Sequence, residues 1–142
     1  MKAIRFILIG LLAVIFSSAN AESPARFDNK IDALLKEFIE SQVNSDPILL
    51  KKVLANDAVI KIPFKNDVMA LSKAQFVEMV RNAGSANQNC TSSFEIIDAD
   101  NTMFSARIDL KYEGFLVQNF IKAEKMAGDV WKITEFSKDF VK

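Results

Sequence analysis

The sequence predicts an α+β fold, and three observations predict it. Helix-period apolar patterning is confined to the front of the chain, where it is interrupted once by a short hairpin pattern. From Asn89 onward the pattern changes to long period-2 runs separated by the turn signals "DADN", "EG" and "AGD". No helical pattern lies between those runs, so they form an antiparallel meander rather than a doubly wound parallel sheet.

The first element is a leader. Lys2 and Arg5 precede an apolar run from Phe6 to Phe16, and "SSANA" follows. An apolar run of about 11 residues is too short for the roughly 20 that cross a bilayer, so it predicts a secretory signal peptide. Ala19 and Ala21 occupy the small-residue positions, which puts cleavage after Ala21. The expectation is an exported, periplasmic protein with no membrane contact after cleavage. Residues 22–28 read as a polar linker, and residues 29–142 as a single domain.

The helices come next. Ile31, Leu34, Leu35, Phe38, Ile39 and Gln42 form one stripe from Asn29 to about Val43. Asp46 as N-cap and Pro47 at the first helical position start a second, shorter helix, expected to end near Asn56. "AVIKIPF" reads as a strand with Pro63 at an edge or end, and "VMAL" as its return. Ser72 and Gln75 have capping-box spacing at the head of a third helix, which Gly84 stops. Four strands follow, roughly Cys90–Asp98, Thr102–Tyr112, Phe115–Met126 and Val130–Phe140.

Composition excludes several chemistries. The chain has no His, which removes Ser-His and Cys-His nucleophilic catalysis and His-ligated zinc. No metal site or cofactor is expected. Cys90 is the only cysteine, so no disulfide forms within the chain, and a buried thiol is the expectation. Without Lys2 and Arg5, 16 basic residues face 18 acidic ones, with no basic block. Nucleic acid is therefore not an expected partner.

The ordered pieces resemble the nuclear transport factor 2-like superfamily. "SDPILLKKVLANDAVIKIPF" looks like that family's small helix running into an Asp-Ala strand start. "LSKAQFVEMV" looks like its third helix, and "NFIKAEKMAGDVWKITEF" is similar to its last hairpin. The nearest branches in pattern are small bacterial lumazine-binding-like and polyketide-cyclase-like proteins. The resemblance implies a cone: three N-terminal helices packed in a strongly curved, mainly antiparallel sheet, with a deep, mainly apolar pocket at the open end. It also implies homodimers through the convex face. The catalytic sets of its enzyme branches do not transfer. Helix 1 has no Tyr, His is absent, and the Arg107–Asp109 pair falls on the solvated face.

Within such a cone, strict alternation assigns the concave face. It places Phe104, Ile108 and Tyr112 on one strand, Asn119 on the next, Ser92 on the first and Trp131 with Glu135 on the last. Most of these fill the core. The polar minority, Asn119, Glu135, Tyr112 and Ser92, is the candidate ligand set, because a buried polar group needs a partner. The same phase leaves Leu116, Phe120, Phe136 and Phe140 outside, and the first three form the face expected to hold a homodimer. The leading functional expectation is a binding or carrier domain for an apolar small molecule, oriented by Asn119 and Glu135. One alternative is an isomerase- or dehydratase-type enzyme with Glu135 as acid or base. Another is a dimeric protein-interaction module with no ligand.

Overall fold

The computed structural model describes residues 29–84 and 87–142. The predicted leader, its cleavage point and the linker lie outside these residues. The element order is α1 (Asn29–Val43), α2 (Pro47–Val53), β1 (Leu54–Phe64), β2 (Asp67–Ser72), α3 (Lys73–Ala83), β3 (Thr91–Ala99), β4 (Met103–Tyr112), β5 (Phe115–Met126) and β6 (Val130–Val141). This is the expected α+β order.

Local chemistry explains the starts and stops. Asp46 accepts from the backbone N–H groups of Ile48 and Leu49 and caps α2. Ser72 and Gln75 close a reciprocal capping box on α3, and Gly84 ends that helix at φ +82°. The second helix is shorter than its sequence suggests. It stops at Val53, and Leu54 is already extended, because Leu54 to Phe64 forms one strand with an irregularity before Val59.

The six strands form one sheet in the order β2-β1-β6-β5-β4-β3. All pairings are antiparallel except β1 with β6. α1 and α3 pack on the sheet's inner face. Phe136 on β6 meets Phe38 of α1 edge-on at 5.0 Å and Phe76 of α3 at 5.4 Å. Phe104 and Trp131 make a similar edge contact at 5.3 Å. Phe38, Phe76, Phe104 and Phe136 are all fully buried. The inner face that the resemblance paints as a deep pocket is thus largely filled by its own phenylalanines.

β6 departs from strict alternation. Ala123 of β5 pairs with Ile133, but Lys122 pairs with Glu135, so Thr134 is an extra residue. This β-bulge flips every side chain beyond it to the other face. Trp131 and Ile133 point inward as expected, and after the bulge Phe136, Lys138 and Phe140 point inward too. Glu135 is therefore on the outer face, where it bonds Lys61 at 3.1 Å and lies 4.0 Å from Lys122. Phe136 is correspondingly removed from the outer face. Of the three residues behind the homodimer expectation, only Leu116 and Phe120 remain outside. They sit among charges, with Arg107 paired to Glu95 at 3.4 Å and to Asp109 at 3.2 Å.

Candidate functional site

Register across the sheet places the site. Phe94 on β3 faces Ile108 on β4, Ile108 faces Asn119 on β5, and Asn119 faces Lys138 on β6. These four side chains form one row on the inner face. The next row, toward the open end of the cone, is Ser92, Leu110, Val117 and Phe140. Phe140 is 53% exposed although it belongs to the inner face. Phe64, at the end of β1 and in phase with buried Ile60, is 50% exposed. Both rings are exposed apolar groups at the rim, with Lys65 Nζ 5.3 Å from the centre of the Phe64 ring.

Asn119 lies one row inside that rim and is 0% exposed. Its Nδ2 donates to the Ile108 carbonyl at 3.4 Å, a long and weak bond. Its Oδ1 has no partner. Two other buried polar atoms, Arg107 Nε and Asp109 Oδ1, also lack a hydrogen bond, but they face each other as an ion pair. Among the described residues, Asn119 Oδ1 is therefore the buried side-chain polar atom with neither a hydrogen bond nor an ion pair.

Lys138 stands beside Asn119. Its Nζ donates to Oε1 of Gln42 on α1 at 3.1 Å and lies 5.7 Å from the Phe136 ring centre. Gln42 is buried, and its Nε2 reaches Ser41 Oγ at 3.5 Å. Burial holds the Lys138 ammonium down to about 8, well below an ordinary lysine. Strict alternation hides Lys138, because only the bulge at Thr134 brings it inside. The run Trp131, Ile133, Phe136, Phe140 is the signal that exposes it: its apolar spacing lengthens beyond two after Ile133.

Of the other predicted residues, Tyr112 and Ser92 line one cleft of about 580 Å³ with Phe115 and Leu116, and the rest lie apart. Tyr112 is half-buried, stacked on Phe115 at 4.7 Å, and its hydroxyl donates to Gln88 Oε1. Burial first, and Cys90 nearby second, push its hydroxyl up to about 12. Ser92 is exposed and borders a cleft of about 520 Å³ between α1 and β3, lined also by Ile39, Val43, Cys90 and Phe94. Phe104 and Ile108 are packed core. Trp131 is at the opposite end, beside a cleft of about 230 Å³ with Lys52 and Asp129. Glu135 and Asn119 occupy opposite faces of the sheet, so they do not converge on one point. The acid–base role considered for Glu135 inside the cone has no geometry to support it.

The fold recurs in solved structures. An NTF2-like protein of unknown function from Shewanella baltica OS155 superposes with a TM-score of 0.72 at 18% identity, over 85% of this chain and 98% of that one. Another from Methylobacillus flagellatus KT gives 0.71 at 16% identity, over 86% and 97%. A ketosteroid isomerase-like protein from Erwinia carotovora atroseptica SCRI1043 gives 0.62 at 10% identity, over 80% and 95%. These likenesses show the fold. No curated protein matches the chain. The model of the family described as "Putative lumazine-binding" matches residues 27–138. With that match across nearly the whole fold, the chain belongs to the lumazine-binding-like family and has the fold of the NTF2-like structures.

Proposed function

We propose that this protein is an exported small-molecule-binding domain whose site is the mouth of the cone, with Asn119 orienting the ligand. One observation carries the reading: a fully buried amide oxygen with no partner, one row inside an exposed apolar rim. An unmet buried acceptor costs about 1–3 kcal/mol, and an occupant that donates to it recovers that cost. A concave apolar surface with one well-placed polar group is the usual form of a small-molecule site. The family description points the same way. Export rests on Lys2, Arg5, the apolar run and "SSANA".

Native mass spectrometry of the protein purified from its own host, compared with Asn119→Leu, tests the proposal. Leu keeps the branching at Cγ and removes both polar atoms. The expected result is a co-purified small molecule on the natural chain and none on the variant. The variant should also be more stable by about 1 kcal/mol, since the unmet acceptor is gone. A variant that loses stability and keeps the same bound mass would overturn the reading, because Asn119 would then be a structural amide.

A further inference from the structure

Lys138 is a cation without a counter-charge. It forms no ion pair among the described residues, and its one hydrogen-bond partner is the neutral Gln42. A buried or half-buried charge is normally paired, because desolvation penalises it. Lys73 and Lys132 also donate only to neutral oxygens, but both do so outside the inner face of the sheet. Lys138 is instead turned into the cone by the Thr134 bulge, in register with the unmet Asn119 and one row from the exposed Phe140 ring. Burial lowers its ionisation.

We infer that the ligand of the cone mouth is a small organic monoanion, with an O–H or N–H donor beside its anionic oxygen and an apolar body. The inference rests on the mouth being a ligand site. The anion meets the Lys138 ammonium, the donor meets Asn119 Oδ1, and the body lies against Phe140 and Phe64. Each half of that pairing excludes something. A neutral apolar molecule leaves the ammonium unpaired. A phosphate dianion leaves one charge uncompensated in an apolar mouth and brings no neutral donor to Asn119. A bare carboxylate set against Asn119 Oδ1 puts two acceptors together, which is why a neighbouring donor is required.

Mandelate is the probe, since it joins a phenyl ring, a hydroxyl and a carboxylate. 1-Phenylethane-1,2-diol is its neutral counterpart. Titration of each into the full chain, followed by NMR at the Asn119 side-chain amide, gives the affinities. Lys138→Met keeps the aliphatic stem and removes the charge, and Lys138→Gln serves if the first variant unfolds. A hydrogen bond to a charged group is worth about 1.5–3 kcal/mol, so the variant should bind mandelate at least about tenfold more weakly. Its loss of affinity for the diol should be several-fold smaller, since the diol carries no charge. Equal binding of mandelate by both chains, or diol binding as tight as mandelate binding, overturns the acidic ligand while leaving the mouth as a site. If neither probe moves the Asn119 amide, the mouth is not a ligand site and both readings fall.

Discussion

Burial displaces the ionisation of two residues near the mouth, in opposite senses. Lys138 is lowered to about 8, so over the window from about 8 to the ordinary lysine value near 10.4 the folded chain has lost a proton that the unfolded chain still holds. More protons on the unfolded state means that stability rises with pH across that window. Tyr112 is raised to about 12, so from its ordinary value near 10 upward the folded chain holds the extra proton and stability falls with pH. The two effects separate between pH 8 and 10, where Lys138 contributes and Tyr112 does not; Lys73, also lowered by burial, adds in the same sense as Lys138 in both chains. Urea unfolding in that interval should show stability rising with pH in the natural chain and a flatter profile in Lys138→Met. Identical slopes in the two chains would mean that the ammonium is solvated and not turned into the cone.

At the scale of the element, β6 decides what the cone contains. Phe136 is held by ring contacts to both α1 and α3, so it ties the helices to the sheet. Phe136→Ala should cost about 3–5 kcal/mol, the range for a buried aromatic cut to Ala. Glu135→Ala, one residue away on the hydrated face, should change stability by less than about 1 kcal/mol, as a surface ion pair does. Chemical denaturation of both variants checks this, and equal losses would place the bulge elsewhere. The contrast also shows what a sequence makes legible. The stripe of α1, the capping box at Ser72 and the faces of β4 and β5 all follow from local periods that tertiary packing leaves intact. Asn119 points inward as alternation predicts, because β5 is regular up to that point. Glu135, Phe136 and Phe140 do not follow alternation, because one inserted residue inverts the phase downstream of it. Lys138 goes unseen for the same reason.

For the molecule as a whole, the four buried phenylalanines convert an expected hollow into a packed core and leave the usable surface at the rim. The cone then acts as a rigid holder for two polar groups, Asn119 and Lys138, set at the boundary between core and mouth. Family membership supplies the holder, and the row from Phe94 to Lys138 supplies the site. The most direct test is a crystal structure of the protein purified from its own host, read at one atom. Small-molecule density is expected, with a donor within about 3 Å of Asn119 Oδ1. A sealed mouth, with that oxygen satisfied by the protein's own groups or by a lone water, would contradict it.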